Sequence, residues 1–295
     1  MGHQLWVSPI TGYRRKGTRL SEFRALFENG ITARAIFEPL QSCPADAVAP
    51  EMAEHLRLRD FDLAGVQETE HGPVIGYIQR DALKDGFVRQ HLRPLTTEHL
   101  VSDATPLANL LSVMTDKEQV FVLTGERIGG IIARADFNKP PVRVYLFGLI
   151  SLLEMHLSFW LRHFYEADSW QAELSDNRLA RANELFRQRR LRNEEIALFD
   201  CLQFCDKREL ALSKEDLRSS VGLGSKKVCR KFLREAEKLR DELAHSQYDV
   251  SGANWRETIR LVEGIEELVR KSDQLVDKKA TEQAGDFQSL LWASI

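Results

Sequence analysis

An arginine and a histidine in the last quarter of the chain have the side chains needed to break a phosphodiester without a metal ion. They are Arg240 and His245, within the segment from Leu239 to Ser246. A guanidinium carries a permanent charge and can hold two phosphate oxygens. An imidazole, with an ordinary pKa of about 6.5, can take a proton from a ribose 2'-hydroxyl or deliver one to the leaving 5'-oxygen. Because this spacing arises about once by chance in a chain of this composition, its surroundings have to support the chemistry.

The spacing of these residues restricts how such a site could be built. Asp241 lies four residues before His245, on the same helical face, where it could fix the imidazole tautomer. Arg240 lies five residues before His245, about 140° around an ideal helix, so the two side chains of one chain do not converge on an unbroken helix. Either the helix distorts near Ser246 or the site combines groups from two chains, and we favour a homodimer. The simpler alternative is that the acidic and basic residues are surface ions and that His245 caps a helix end.

A basic helix, from Ser225 onward, is predicted to carry this pair. Its buried face is predicted from apolar residues that recur every three or four positions, which are Val228, Phe232, Ala236, Leu239 and Leu243. Its other faces carry cations that we assign to RNA binding, which are Lys226, Lys227, Arg230, Lys231 and Arg234, with Lys238 farther on. One-sided positive charge on a packed helix suits a surface that follows a phosphate backbone. An ordinary solvated helix face is the alternative.

The rest of the C-terminal half also has helical periodicity. Helices are predicted at residues 142–165, 175–190, 193–206, 213–222, from 225 onward, and 254–277. Helices of this number and size form a bundle. The tail is polar until four apolar residues that would dock or serve a partner, namely Phe287, Leu290, Leu291 and Trp292.

This half resembles the HEPN superfamily of all-α domains over about residues 142–277. Arg240, the polar residue Asp241 and His245 fit the motif of that family, and Glu154 in the first predicted helix also suits it. The resemblance implies a dimer in which two Arg/His pairs meet and a metal-independent endoribonuclease that leaves 2',3'-cyclic phosphate ends. On this resemblance, Arg240, His245 and Asp241 are the catalytic residues, and catalysis requires no cofactor.

Between residues 31 and 137 the chain contains two copies of one α/β pattern. Each copy has a helical stretch, a short β run, a turn, a second β run that contains glycine, and an aspartate, which is Asp81 or Asp136. In the second copy, Thr105 is predicted to cap a helix and Pro106 to take its first position. Its apolar residues follow at helical spacing, at Leu107, Leu110, Leu111 and Met114.

These copies resemble a tandem CBS-domain pair over roughly residues 30–138. The resemblance implies an adenine nucleotide in the cleft between the units, with the strand-end aspartate on the ribose hydroxyls. Asp136 matches that position, Asp81 matches it only after a one-residue deletion, and Arg134 and Arg80 complete the expected nucleotide site. Ala133 stands where the family has Thr or Ser, which removes one contact to the ligand. The alternative is a structural pair in which both aspartates cap the helices that follow.

Composition and charge disfavour several other classes of protein. A net charge of -3 argues against a nucleic-acid surface over the whole protein, so any basic surface must be local. The four cysteines lack the spacing of a disulfide framework or a metal site, and we expect no metal. The most apolar segment, residues 142–161, includes Glu154 near its middle, which favours a core helix over a membrane span. No apolar leader follows the first residue, so we expect a cytoplasmic protein with no membrane partner.

The predicted organisation is multidomain, with an α/β tandem CBS pair followed by an all-α HEPN-like helical bundle. The predicted segments are a basic arm at 1–28, the α/β pair at 29–141, the helical domain at 142–278 and a tail at 279–295. Lys139, Pro140 and Pro141 mark the central boundary. In the arm, the loop from Thr11 to Arg19 carries four cations that either hold a phosphate or are solvated.

These patterns predict an endoribonuclease whose CBS pair senses a nucleotide and biases the dimer, in a stress or defence role. One alternative is a DNA-binding regulator, because Leu210 to Ser220, the turn Val221 to Gly224 and the helix from Ser225 resemble a helix-turn-helix. Another is a non-catalytic oligomerisation or adaptor module on the same scaffold.

Overall fold

The computed structural model describes residues 4–7, 14–16, 19–245, 249–252 and 254–292, with residues 4–7, 14–16, 29 and 279–292 as backbone only. These residues belong to two compact units. One is an α/β unit of Leu26–Val142 and Asp249–Arg256, and the other is a helical unit of Met1–Ala25, Arg143–Tyr248 and Glu257–Ile295. The predicted order of an α/β region followed by a helical region is confirmed. The return of residues 249–256 to the α/β unit was not anticipated from the sequence.

The N-terminal segment contains a short strand pair and a helix. Strands β1 (Gln4–Val7) and β2 (Arg14–Lys16) pair in antiparallel fashion, and α1 (Leu20–Gly30) follows. The backbone N–H of Leu20 donates to a carboxylate oxygen of Asp273 at 2.8 Å, which satisfies one free amide at the start of α1. Of the predicted phosphate-holding loop, residues 11–13, 17 and 18 lie outside the described residues.

The α/β unit contains two four-stranded sheets of the same topology. Its elements are β3 (Glu38–Pro39), β4 (Ser42–Pro44), α2 (Ala49–Leu58), β5 (Leu63–Gln67), β6 (Val74–Gln79), β7 (Arg93–Pro94), β8 (Leu100–Ser102), α3 (Leu107–Val113), β9 (Gln119–Thr124) and β10 (Arg127–Ala133). The sheet orders are β4-β5-β6-β7 and β8-β9-β10-β3. In each sheet, a parallel edge strand joins an antiparallel hairpin, and a two-residue strand closes the other edge. The predicted repeat of one α/β pattern is therefore confirmed.

Continuous apolar runs form the central strands of these sheets. Val120, Phe121 and Val122 of β9 are all fully buried, as expected for a strand covered on both faces. The turn from β9 to β10 passes through Gly125 at a φ of 66°, a left-handed conformation that glycine adopts without steric cost. The second strand of each hairpin then ends at the stretch that contains Asp81 or Asp136.

The predicted start of α3 was wrong by one residue, although its buried face was right. Pro106 has an extended backbone and precedes the helix, which begins at Leu107, and no side chain caps it. The backbone N–H of Leu107 instead donates to the carbonyl of Ile31 at 3.1 Å, so a tertiary contact replaces the expected Thr105 cap. The predicted core residues are at most 2% exposed, at Leu107, Leu110, Leu111 and Met114.

The helical unit is built from long helices joined by short turns. They are α4 (Pro140–Phe164, whose first residues belong to the α/β unit), α5 (Asp176–Leu191), α6 (Phe204–Ser213), α7 (Glu215–Val221), α8 (Lys226–Ala244) and α9 (Trp255–Trp292). The single helix predicted over 193–206 was wrong. The carboxylate of Asp200 accepts the N–H of Ala197 and that of Asp206 accepts the N–H of Gln203, so two separate helix starts replace one helix.

Helix α4 lies in the core of the helical unit. Among the described residues it is the helix that is long and apolar enough to cross a membrane, a test that the core helix of a soluble protein also passes, and 56% of its most apolar stretch is buried. Its buried polar side chains have partners: His156 Nδ1 lies 2.7 Å from Ser272 Oγ, and Trp160 Nε1 donates to the same oxygen at 2.6 Å. These bonds tie α4 to α9.

Helix α9 is longer than predicted, because it continues past residue 277 to Trp292. Its predicted inward residues are all buried, at Ile259, Val262, Ile265 and Val269. The side chains of the apolar tail residues at 287 and 290–292 lie outside the described part of the structure.

Two buried thiols give a testable consequence of this packing. Burial raises the pKa of Cys43 and of Cys229 to about 11. Because the thiolate is the reactive form, we expect both thiols to react slowly with Ellman's reagent at pH 8 in the native protein and rapidly in urea. The raised pKa also means that the folded state keeps protons that the unfolded chain releases, so stability should fall as the pH rises from about 8.5 towards 11. Fast native reaction of all four cysteines at pH 8 would contradict this packing.

Candidate functional site

Helix α8 presents a basic surface to solvent. Its start is fixed by Gly222 and Gly224, which have left-handed φ values of 79° and 71°, and by Ser225, whose side chain accepts the N–H of Val228 at 3.4 Å. All of the predicted RNA-binding residues are exposed, namely Lys226, Lys227, Arg230, Lys231 and Arg234, and so is Lys238. Only Lys231 and Lys238 of this set form ion pairs in the described structure, with Glu235 and Glu242. We call these six cations the basic stripe.

The buried face of α8 is partly different from the prediction. Ala236, Leu239 and Leu243 are buried as predicted, but Val228 is 59% exposed. Cys229 and Leu233 are fully buried in place of Val228 and Phe232. The sequence holds two neighbouring apolar stripes in the first half of the helix, and tertiary packing selects the one that the periodicity argument did not choose.

Arg240 is held inside the helical unit and not in the basic stripe. One of its terminal nitrogens lies 3.4 Å from Glu154, its Nε and other terminal nitrogen donate to Asp241 at 3.2 and 3.0 Å, and its guanidinium lies 5.3 Å from the centre of the Phe204 ring. Glu154 also accepts from Lys207 at 2.7 Å. Arg240 therefore belongs to a charge cluster on α4, α6 and α8.

His245 caps the C-terminal end of α8 and is exposed. Its N–H donates to the carbonyl of Glu242, and the guanidinium of Arg143 donates to the carbonyls of Leu243 at 2.8 Å and of His245 at 2.7 Å. These bonds satisfy carbonyls that a helix end leaves free. Within residues 19–245 and the other described segments, the imidazole itself has no hydrogen-bond or ion-pair partner. Asp241, predicted to orient the imidazole, bonds to Arg240 instead.

The structure therefore separates the two predicted catalytic groups of one chain. His245 follows Lys227 by 18 residues, five full helical turns, so it lies at the end of the basic stripe. Arg240 lies about 140° away, at the edge of the buried face. Arg143 was missed by the sequence analysis because it is about a hundred residues from its partners, and no local pattern marks such a contact.

The α/β unit contains a cleft of about 480 Å³ at the ends of the two hairpins. It is lined by Asp62, Leu63, Gln79, Asp81, Glu118, Gln119, Ile131, Ala133, Arg134 and Ala135. Two of the four predicted nucleotide-binding residues, Asp81 and Arg134, line it. The described lining includes three carboxylates and one guanidinium, so the cleft is acidic.

The other two predicted residues do not line the cleft, although Arg80 pairs with carboxylates that do. Asp136 is only 9% exposed: one carboxylate oxygen accepts the N–H of Ala133 at 2.7 Å and the other lies 2.9 Å from Lys139. Arg80 pairs with Asp62 at 2.8 Å and donates to the carbonyl of Phe61.

Strand register explains the difference between the two aspartates. Gln79 pairs with Leu63 at the end of the first hairpin, and Ala133 pairs with Gln119 at the end of the second. Asp81 follows its strand end by two residues and Asp136 follows by three. The one-residue deletion seen in the sequence is thus present in three dimensions, and the two aspartates are not equivalent.

Comparisons with known proteins match the α/β region alone. No family model and no curated protein matches the chain. Among solved structures, the CBS domain of a bacterial CNNM/CorC family Mg2+ transporter in complex with ATP is 14% identical, with a TM-score of 0.33, over 38% of this chain and 88% of the other. The CBS domains of a transcriptional regulator from Streptococcus pneumoniae are 18% identical, with a TM-score of 0.32, over 36% and 96%. CBSX2 in complex with AMP is 16% identical, with a TM-score of 0.32, over 36% and 92%. Matches with such low identities and TM-scores assign no function to this chain. The architecture of the α/β unit is described from its own strand order and pairing.

The charge cluster around Arg240 can be tested through stability. Glu154→Gln removes the carboxylate that both Arg240 and the nearly buried Lys207 contact. We expect the free energy of unfolding to fall by about 1–3 kcal/mol, because a partly buried cation loses its partner. Urea unfolding measures this loss. Glu263→Gln, an exposed position on α9, is the matched control and should change stability by less than about 0.5 kcal/mol.

Proposed function

We propose that this protein is a metal-independent endoribonuclease of the HEPN type, regulated by a small ligand in a CBS-like α/β pair. The observation that carries the proposal is the basic stripe on α8, which ends at an exposed His245 whose imidazole has no partner among the described residues. A phosphate backbone that follows the stripe arrives at a group that can transfer protons near neutral pH.

The reaction needs a proton acceptor, a proton donor and a cation. His245 takes the proton of a ribose 2'-hydroxyl as its oxygen attacks the phosphorus, and the bond to the 5'-oxygen breaks as a water molecule protonates that oxygen and recovers its proton from the imidazolium. Arg240 stabilises the charge that develops on the phosphate oxygens. The products are a 2',3'-cyclic phosphate and a 5'-hydroxyl. The helical separation of Arg240 from His245 supports a site assembled from two copies of the chain.

The nuclease proposal predicts metal-independent cleavage that depends on both residues. Purified protein should cut labelled single-stranded RNA in EDTA, and Arg240→Ala and His245→Ala should each lower kcat by at least about a hundredfold. Arg260→Ala and His71→Ala change exposed residues of the same types and should leave cleavage unchanged. Unimpaired cutting by the His245→Ala variant would exclude the proposed role of the imidazole.

Mixing the two inactive variants tests whether the site uses two chains. In a mixed dimer, the Arg240→Ala chain still supplies His245 and the His245→Ala chain still supplies Arg240, which leaves one intact composite site. Random assembly of an equal mixture should recover about one quarter of the wild-type activity. No recovery, with mixed dimers present, would contradict a site shared between subunits.

DNA binding is the second candidate function, and the geometry of α7 and α8 favours it specifically. Helix α7 is packed through Leu217 and Val221, the turn contains left-handed Gly222, and the exposed start of α8 carries Lys226 and Lys227. This arrangement suits a helix-turn-helix whose second helix enters a major groove. Retention of duplex DNA by both alanine variants, without RNA cleavage, would favour this function over the nuclease.

For the α/β pair we propose an adenine nucleoside or nucleotide as the ligand of the cleft. Arg134 and Asp81 are the lining residues suited to phosphate and to sugar hydroxyls. Three carboxylates line the cleft, at Asp62, Asp81 and Glu118, against Arg134 in the lining and Arg80 beside it. The set keeps one excess negative charge, so the cleft suits a ligand of low negative charge.

The charge of the cleft predicts the order of ligand affinity. In calorimetry without divalent metal, adenosine and AMP should bind more tightly than ATP by several-fold, because each added phosphate brings further repulsion. Asp81→Asn should narrow this difference, whereas Asp85→Asn, an exposed carboxylate outside the cleft lining, should not. Tighter binding of ATP than of AMP would contradict the electrostatic argument, and no binding of any of the three would leave the pair with a structural role.

A further inference from the structure

Of the four places where the chain passes between the two units, two lie next to residues that hold His245. The first of these two is between Val142 and Arg143, inside α4. The second is between Tyr248 and Asp249, three residues after His245. These are covalent connections, so whatever holds them inside each unit also restricts the segment that carries the imidazole.

Arg143 holds His245 inside the helical unit. It is the first residue of that unit on α4, and its guanidinium donates to the carbonyls of Leu243 and His245. The backbone at His245 has left the helix, with a φ of -97° and a ψ of 124°. The direction of the imidazole therefore depends on a backbone that Arg143 fixes.

Asn138 holds the chain that follows His245, inside the α/β unit. Its side-chain nitrogen donates to Asp249 at 2.7 Å and to the hydroxyl of Ser251 at 3.2 Å, and its side-chain oxygen accepts the N–H of Val250 at 2.6 Å. The hydrogen bonds that Asp249 accepts from Ser251 and Asn138 lower its pKa, and the bond from Ser251 has the larger effect. One asparagine thus binds three consecutive residues through both ends of its amide.

The rest of the returning segment is firmly docked in the same unit. Trp255 is 3% exposed, its indole N–H donates to the carbonyl of Met114 at 3.0 Å, and its ring packs edge-to-face on Phe137 at 4.9 Å. Arg256 pairs with Asp116 at 3.0 Å. Residues 249–251 therefore move together with Asn138 and the α/β unit.

Asn138 is also connected to the ligand cleft. It is the last residue of a single 3-10 turn, Arg134–Asn138, whose first two residues, Arg134 and Ala135, line the cleft. A ligand that contacts Arg134 acts directly on this turn. Two residues after Asn138 the chain enters α4 at Pro140, and Arg143 follows Asn138 by five residues.

We infer that Asn138 is a positioning residue that couples occupancy of the cleft to the placement of His245. The hydrogen bonds of Asn138 and Arg143 carry the coupling itself. Its effect on RNA cleavage rests on the proposed function. When the 3-10 turn shifts, Asn138 carries residues 249–251 with it on one side of His245, while α4 carries Arg143 on the other. Because both attachments act on one backbone, the ligand changes the presentation of the imidazole without contacting it.

The test measures His245 directly, with and without a cleft ligand. Adenosine and AMP are the probes, and the readout is the rate of His245 modification by diethylpyrocarbonate, followed by mass spectrometry of its peptide. In the wild type we expect saturating probe to change this rate on the order of fivefold, within the usual range of coupling between two sites. In Asn138→Ala the change should fall below about twofold while the probe still binds. Asn177→Ala, an exposed asparagine in the first turn of α5, is the matched control and should behave as the wild type.

The outcomes separate this inference from the nuclease proposal. A full ligand effect on His245 in Asn138→Ala, or bound probe without any effect on His245 in the wild type, overturns the coupling. If neither probe binds the wild type, the coupling is also overturned. If the wild type cuts no RNA but the His245 rate responds as expected, the coupling stands and the nuclease fails. Asn138→Asp, which keeps the shape but removes the donors, replaces Asn138→Ala if circular dichroism shows that the alanine variant is unfolded.

Discussion

The period of the α-helix is the constraint on which the proposed chemistry depends. With 3.6 residues per turn, α8 places Arg240 at the edge of its buried face, and the helix ends at Ala244, before His245. The helix therefore divides its cations into a solvent-exposed stripe that ends at His245 and an inward arginine paired with Glu154. Chemistry that needs both groups must then take the second group from another copy. The partly exposed guanidinium of Arg240 is compensated by the carboxylates of Glu154 and Asp241 and by the ring of Phe204.

Polar side chains inside the helical unit are satisfied in pairs and clusters. Glu154 serves both Lys207 and Arg240, and Ser272 serves both His156 and Trp160. These contacts join α4 to α6, α8 and α9. Apolar contacts are not directional, so these hydrogen bonds and ion pairs determine how the apolar helix α4 is oriented against its neighbours. Helix α4 thus acts as the element against which the functional helix is positioned.

The sequence predicted those features that depend on neighbours along the chain. Repetition of one α/β pattern, the inward residues of α3 and α9, and the exposure of the α8 cations all follow from short-range periodicity. Predictions that depended on long-range partners did not succeed. The start of α3 depends on a carbonyl of Ile31, and the buried stripe of α8 was selected by packing. Asp136 bonds locally to Ala133 and Lys139, as the capping alternative implied, whereas Arg143 contacts carbonyls about a hundred residues away, which no local pattern encodes.

The return of residues 249–256 to the α/β unit makes that unit discontinuous in sequence. The helical unit is discontinuous as well, since it consists of three segments that alternate with the two segments of the α/β unit. A fragment that ends at residue 142 would expose the apolar surface that Trp255 covers. A fragment that starts at residue 143 would expose the side chain of Trp255 itself. During synthesis, the α/β unit can be completed only after residues 143–248 have been translated, because residues 249–256 follow them in the chain.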